Sequence, residues 1–138
     1  MSQNPVKILI AENEDAILEI MAQKIASQGY DVIMARDGQE AWDKIGQTLP
    51  DVVLLDLGMP KMDGWSVLSH LRKSSPVNRW IPVIIISAMN ELDSIKRAMD
   101  LQADLYLTKP CAISDILQAI RRVLGLIPTH RQPEVRVI

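Results

Sequence analysis

Short aliphatic runs recur along the chain, and the residue pattern changes after each of them. The runs hold four or five residues and are rich in valine and isoleucine, which favours strands over helices. Polar alternation is weak in three of them, as expected for strands that are covered on both faces. The five predicted strands are Val6–Ile10, Asp31–Ala35, Val52–Leu55, Pro82–Ile86 and Asp104–Leu107.

Between these runs the apolar residues recur at spacings of three and four, which is the period of an amphipathic helix. Strand and helix therefore alternate five times along the chain. Strict alternation with short connections predicts an α/β fold in which parallel strands are joined by right-handed crossovers and helices cover both faces. The helical patterns span Ile17–Ile25, Ala41–Ile45, Val67–Leu71, Leu92–Met99 and Ile113–Leu124.

The composition is that of a soluble globular protein of about one domain. The chain has 138 residues, of which 48% are hydrophobic and 23% charged, with a formal net charge of −2. These values exclude a disordered chain, and the length is sufficient for a buried core. No apolar run approaches the ~20 residues that span a bilayer, so no membrane segment is expected. The near-neutral charge gives no indication of direct nucleic-acid binding.

The two ends of the chain and its single cysteine add expectations about location and boundaries. Cys111 cannot form an intrachain disulfide, and the N-terminus lacks a secretory signal, so a reducing, cytoplasmic location is predicted. The strand–helix pattern stops after Gly125, which predicts a domain over residues 1–125 and a tail or linker over residues 126–138. This end suits a stand-alone domain, but a fragment of a longer protein would look identical.

Polar side chains follow four of the five predicted strands. Glu12 and Asn13 follow the first strand, Asp56 the third, Ser87 the fourth and Lys109 the fifth. In an open parallel sheet, ligands bind beyond the carboxyl ends of the strands. If the strand order is 2-1-3-4-5, these residues meet at one edge. Carboxylate and amide oxygens suit Mg²⁺, whereas a lysine and a hydroxyl suit phosphate oxygens.

With these residues in place, the chain resembles the receiver domain of two-component response regulators and is similar to the single-domain chemotaxis type. The match covers about residues 5–125 and implies a flavodoxin-like (CheY-like) three-layer sandwich: a five-stranded parallel sheet, order 2-1-3-4-5, with five helices. Four segments in the expected order, each at a strand end, make the resemblance specific. They are Lys7–Glu14, Asp51–Gly64, Val83–Ala88 and Ala103–Pro110.

The resemblance implies a role for each of these polar residues. Asp56 falls on the phosphoacceptor position, and Mg²⁺ would be held by Asp56, by Glu12 and Asn13, and by the backbone carbonyl of Gly58. Lys109 would pair with the phosphoryl group, and with Asp56 before transfer. Two further positions complete the implied set: Ser87 would donate its hydroxyl to a phosphoryl oxygen, and Tyr106 falls on the aromatic switch position.

Simpler interpretations remain open for several of these residues. Asp56 and Ser87 are also common cap or turn residues, and Glu12 would complement the dipole of the first helix. Asn13 is as well suited to the N-cap of that helix as to a metal site. Lys109 would otherwise be a surface lysine, and Tyr106 would otherwise simply cover the sheet.

The chain also departs from the family pattern at three positions. The usual pair of acids after the first strand is replaced by Glu12 and Asn13, and the loss of one formal charge predicts weaker Mg²⁺ binding. Gln102 replaces a common glycine and Cys111 a common aromatic residue, and both are interpreted as packing variation. The Lys109–Pro110 peptide bond is expected to be cis, as in the family.

The resulting hypothesis is a phosphorylation-dependent signalling switch rather than an enzyme, with at most slow self-dephosphorylation. A histidine kinase or histidine phosphotransfer protein would phosphorylate Asp56, and the surface of helix four, strand five and helix five would bind a downstream protein. A homodimer is a further alternative, on a surface that the sequence does not define. The alternative is a pseudo-receiver, a non-phosphorylated interaction module, which Asn13 favours. A phosphatase with an aspartyl nucleophile is disfavoured because Gly58 stands where its second aspartate would be.

Overall fold

The structure, a computed structural model, describes residues 5–76, 78–126 and 136–137. Strands and helices alternate as the sequence predicts, and no helix in these ranges is both long and apolar enough to cross a membrane. The elements in chain order are β1 (Lys7–Ala11), α1 (Asp15–Ala26), β2 (Asp31–Ala35), α2 (Gly38–Thr48), β3 (Val52–Leu55), α3 (Gly64–Lys73), β4 (Val83–Ser87), α4 (Leu92–Asp100), β5 (Leu105–Thr108), α5 (Ile113–Leu126) and β6 (Arg136–Val137).

The predicted sheet is confirmed, with β1 to β5 parallel and in the order β2-β1-β3-β4-β5. The strand order reverses between β1 and β3, which lie side by side although α1, β2 and α2 separate them in sequence. Leu55 of β3 pairs with Ala11 of β1, so both strands end at the same level. The residues that follow these two strands therefore enter the crevice where open α/β sheets bind ligands.

The sheet carries a separate aliphatic core on each face. One core packs α2, α3 and α4 against side chains such as Leu9, Val53 and Ile85. The other packs α1 and α5 against Ile8, Leu54 and their neighbours. Successive side chains of a strand point to opposite faces, so Leu54 and Leu55 enter different cores. This double coverage explains the nearly continuous hydrophobic runs that predicted the strands.

A sixth strand extends the sheet beyond the predicted five. Arg136 and Val137 pair in parallel with Leu105 and Tyr106 of β5. The sequence prediction of a tail or linker over residues 126–138 did not include this strand, because two residues carry no periodic signal. Of that predicted tail, Leu126 closes α5, and residues 127–135 and 138 lie outside the described part of the chain.

Helix α4 is less buried than its apolar periodicity suggests. Its residue Ala98 is fully buried, whereas Leu92 is 82% exposed and Met99 is 43% exposed. Large exposed apolar side chains that form a patch are typical of surfaces that bind other molecules. The structure thus leaves an apolar strip on the helix that flanks β5.

The interpretation of Gln102 as packing variation is wrong. Its φ is +68°, in the left-handed region that side chains with a Cβ disfavour. The residue turns the chain after α4, where its backbone N–H donates to the carbonyl of Met99 and its carbonyl accepts from Arg72 Nε. A glycine is common at this family position because it adopts this φ without strain.

We expect Gln102→Gly to raise the free energy of unfolding by about 0.5 kcal/mol. Relief of the left-handed strain is worth about 1–2 kcal/mol, and the greater freedom of glycine in the unfolded chain cancels part of it. Urea unfolding measures the change. Gln102→Ala is the control, since it removes the side chain but keeps the strain, and an equal gain in this variant would show that backbone strain is not the cause.

Candidate functional site

Backbone hydrogen bonds hold the residues just beyond the strands in place. The amide of Glu12 donates to the carbonyl of Ala35, and that of Asp56 donates to the carbonyl of Ala11. The amide of Lys109 donates to the carbonyl of Ser87 in the same way. These bonds continue the sheet by one residue, so the side chains that follow β1, β3 and β5 start from fixed positions.

Three of the predicted residues meet in a charged cluster at this edge. Lys109 Nζ lies 2.6 Å from Glu12 Oε1 and 3.5 Å from Asp56 Oδ2, so the ammonium bridges the two carboxylates. The Glu12 side chain is 3% exposed, that of Asp56 is 12% exposed and that of Lys109 is 22% exposed. The simpler interpretation of Lys109 as a surface lysine is therefore wrong. Glu12 is buried rather than solvated, but its Oε2 also accepts the backbone amide of Glu14 over 3.1 Å at the start of α1, as its interpretation as a helix-dipole residue expects.

The electrostatic surroundings of Lys109 keep it cationic. Burial by itself lowers the pKa of the lysine, but the hydrogen bond to Glu12 and the charges of Asp56 and Glu12 outweigh burial, so the pKa is raised. The ammonium is therefore charged at neutral pH. It stands where it would neutralise part of the charge of an anion that approaches Asp56.

The oxygen atoms around Asp56 fit a hard cation, although they form a modest ligand set. Gly58 follows Asp56 closely and donates its amide to Asp56 Oδ1 over 3.2 Å. Asn13 is exposed beside the buried Glu12, and the N-cap of α1 is Glu14, so the N-cap interpretation of Asn13 is wrong. No three His, Cys, Asp or Glu side chains in the described ranges cluster as a metal site. Two carboxylates would thus be supplemented by neutral oxygens, which suits Mg²⁺.

Ser87 and Tyr106 meet through the loop that follows β4. The hydroxyl of Ser87 accepts the backbone amide of Met89 at 3.1 Å, and the hydroxyl of Tyr106 donates to the carbonyl of Met89. Ser87 is 1% exposed, and Tyr106 has no exposed surface. Burial is the largest of the effects that raise the pKa of Tyr106, so its hydroxyl stays protonated and able to donate. Met89 was not predicted, because it contributes backbone atoms, which leave no sequence signal.

The turn after β5 sets the direction of Lys109. The Lys109–Pro110 peptide bond is cis, as expected from the resemblance. Cys111 follows in a half-buried position, and burial raises the pKa of its thiol, so the thiol is protonated at neutral pH. The interpretation of Cys111 as packing variation fits this environment.

Two glycines, Gly38 and Gly64, allow the loop after Asp56 to pack closely. A Cβ on Gly64 would lie 2.3 Å from the carbonyl oxygen of Asp56. A Cβ on Gly38, at the start of α2, would lie 1.5 Å from the carbonyl oxygen of Met62. The position of Asp56 therefore depends on two backbone contacts that only glycine permits.

A family comparison agrees with this geometry. The family described as the response regulator receiver domain matches residues 8–121. The chain belongs to this family. The matched range includes all the residues of the charged cluster as well as Ser87 and Tyr106.

Curated relatives place the chain among response regulators of two-component systems. It is 37% identical over 118 residues to the probable transcriptional regulator ycf27 of Guillardia theta, covering 86% of this chain and 45% of that protein. It is 34% identical over 120 residues to the response regulator MprA of Mycolicibacterium vanbaalenii, covering 87% of this chain and 51% of that protein. The chain thus spans about half the length of the curated relatives it matches.

Solved structures share the fold over nearly nine tenths of this chain. A Francisella response regulator receiver domain is 32% identical with a TM-score of 0.81, covering 89% of this chain and 98% of the other. One chain of a CheX–CheY–BeF3–Mg²⁺ complex from Borrelia burgdorferi is 31% identical to this chain with a TM-score of 0.79. The match covers 87% of this chain and 90% of the other. The CheY-like flavodoxin fold predicted from the sequence is confirmed.

Proposed function

We propose that the protein is a phosphoacceptor switch in which Asp56 receives a phosphoryl group from a histidine kinase or a histidine phosphotransfer protein. The observation that carries this proposal is the bridge of Lys109 between Glu12 and Asp56 at the crevice of the sheet. A carboxylate oxygen of Asp56 would attack the phosphorus, forming an acyl phosphate as the bond to the donor imidazole breaks. The imidazole nitrogen keeps the electron pair of that bond.

The half-buried Lys109 would support this transfer electrostatically. Positioning and charge stabilisation supply most of the catalysis of phosphoryl transfer. Lys109 is 3.5 Å from the Asp56 carboxylate and held from its other side by Glu12, so its ammonium can contact phosphoryl oxygens. Fixed charges of this kind act without reorganisation during the reaction.

We propose Mg²⁺ as the cofactor of this site. Glu12, Asp56, Asn13 and the carbonyl of Gly58 are the residues that would hold it. When bound, it would neutralise charge on the phosphoryl oxygens. Lys109 pairs with Glu12, and this ion pair would have to lengthen before the Glu12 carboxylate could bind the metal.

Phosphorylation would act on the output surface through the loop that carries Met89. The hydroxyl of Ser87 would donate a hydrogen bond to a phosphoryl oxygen while it still accepts the hydrogen bond from the amide of Met89. Because Tyr106 is already buried and bonded to Met89, we propose that the phosphoryl group stabilises this inward position rather than creating it. The surface of α4, β5 and α5, with exposed Leu92 and Met99, would then bind a downstream protein or a second copy.

The same proposal assigns the wider cellular role. The protein would act in the cytoplasm as a signalling component, with slow loss of the phosphoryl group to water and no metabolic activity. Its curated relatives are about twice as long, and one is called a probable transcriptional regulator. We propose no nucleic-acid contact for this domain, because its formal net charge of −2 supplies no overall positive charge to attract phosphate backbones.

Incubation with acetyl phosphate and Mg²⁺ is expected to add the mass of one phosphoryl group to the intact protein. Asp56→Asn should abolish the addition, since an amide is a poor nucleophile, and chelation of the metal should slow it strongly. Intact-mass spectrometry measures both effects. Asp15→Asn is the matched control, because Asp15 is an exposed carboxylate at the same edge of the sheet. A wild-type protein that gains no mass, or labelling that survives in Asp56→Asn, would support an interaction module instead.

We expect Asn13→Asp to lower the dissociation constant for Mg²⁺ about tenfold. The change restores a formal charge next to Glu12, and the affinity of such sites follows the charge of their ligands. Isothermal titration calorimetry at fixed ionic strength measures the constant. Asn78→Asp adds the same charge at the opposite edge of the sheet, before β4, and should change the constant little. Equal effects of the two substitutions would remove Asn13 from the metal site.

A further inference from the structure

The outer edge of β5 is covered by the chain itself. Leu105 and Tyr106 pair with Arg136 and Val137, which makes β6 the last strand of the sheet. Without β6, β5 would present its backbone N–H and C=O groups to any extended segment that approached. Such edges accept added strands from partners, with backbone hydrogen bonds as the main contact.

The topology of the chain brings this segment to the edge of β5. Helix α5 returns the chain to the end of the sheet at which β5 begins, so a following strand can run parallel to β5. The nine residues of range 127–135 separate Leu126 from Arg136. A chain of that length reaches up to about 30 Å, whereas neighbouring strands lie only about 5 Å apart. The pairing thus continues the strand–helix–strand pattern of the fold.

We infer that the segment at Arg136–Val137 is a reversible intramolecular cap on the edge of β5. A pairing of two residues forms few hydrogen bonds, so it opens far more readily than the central strands. The inference goes beyond the proposed phosphoacceptor function and does not depend on it. A partner or second copy that adds a strand to β5 must first displace the cap.

The cap lies beside the residues that would respond to phosphorylation. Val137 is the partner of Tyr106 in the register, and Tyr106 donates its hydroxyl to the carbonyl of Met89. Leu92 and Met99 are exposed on the neighbouring helix α4. Displacement of the cap would therefore open a backbone edge next to an apolar strip, which is the composition of a strand-addition site.

Amide hydrogen exchange followed by NMR on the full chain, without phosphodonor, tests the cap. Successive amides of a strand point to opposite sides, so only one of Arg136 and Val137 donates to β5. A proline cannot donate, so Arg136→Pro or Val137→Pro should release the cap. In at least one of these variants, the β5 amides that face β6 should exchange about fivefold faster or more.

Val137→Thr is the matched control for the proline variants. It keeps both the backbone donor and a β-branched side chain, so its β5 amides should exchange like those of the wild type. Unchanged exchange in both proline variants would overturn the inference, as would equally fast exchange in Val137→Thr. Protection that rises with protein concentration would assign the added strand to a second copy and would also overturn it.

Discussion

Gly38→Ala is expected to lower the free energy of unfolding by about 3 kcal/mol or more. The new Cβ would lie 1.5 Å from the carbonyl oxygen of Met62 and 2.4 Å from its carbonyl carbon. Both atoms belong to backbone, so no side-chain rotation relieves the overlap. Helix α2 and the loop between β3 and α3 must move apart, and this loop begins at Asp56. Urea unfolding measures the loss, and the phosphorylation rate of the remaining folded protein should fall with it.

Gly46→Ala is a matched control in the same helix. A Cβ at Gly46 meets no atom within 4 Å, so the substitution changes only the backbone preference. Alanine in a helix interior is favoured over glycine by about 0.5–1 kcal/mol, and Gly46→Ala should therefore stabilise the protein. The two substitutions are expected to change the free energy of unfolding in opposite directions. A small effect of Gly38→Ala would show that the loop after β3 tolerates displacement.

The fold was predictable from the sequence because both faces of the sheet are covered. Strands such as Val52–Leu55 are apolar at every position, and the helices show one apolar stripe each. The helices and strands follow from these patterns, and the strand order followed from the family resemblance. Strand β6 was not predictable in this way, because a two-residue pairing depends on the neighbouring edge of β5 rather than on its own composition.

The candidate site was predictable only as far as side chains carry the chemistry. Asp56, Glu12 and Lys109 follow strands, and parallel strands bring such residues together at one edge. The contacts of Met89 and the close approach at Gly38 involve backbone atoms, which the sequence does not distinguish. The left-handed backbone of Gln102 was missed for the same reason, although the common glycine at that position was an available signal.

Asp104→Ala is expected to lower the free energy of unfolding by about 3–5 kcal/mol. The Asp104 side chain is 4% exposed and lies 2.9 Å from the guanidinium of Arg72, which is 9% exposed. It also accepts the amide of Val83 and the indole N–H of Trp80. Burial lowers the pKa of Arg72 to about 10, so the guanidinium remains charged at neutral pH. Removal of the carboxylate would thus leave the buried Arg72 guanidinium without its anionic partner. The amide of Val83 and the indole N–H of Trp80 would lose their acceptor.

Two comparisons isolate the contribution of burial in this ion pair. Asp15→Ala breaks the exposed pair of Asp15 with Arg36, in which the side chains are 69% and 45% exposed, and should cost about 1 kcal/mol or less. Adding Arg72→Met to Asp104→Ala removes the buried guanidinium that lacks its anionic partner, so the double variant should recover part of the lost free energy of unfolding. Urea unfolding of Asp104→Ala, Arg72→Met, their double variant and Asp15→Ala, each against the wild type, measures these losses. Losses that simply add in the double variant would show that Arg72 and Asp104 act independently, and that the cost arises from Val83 and Trp80.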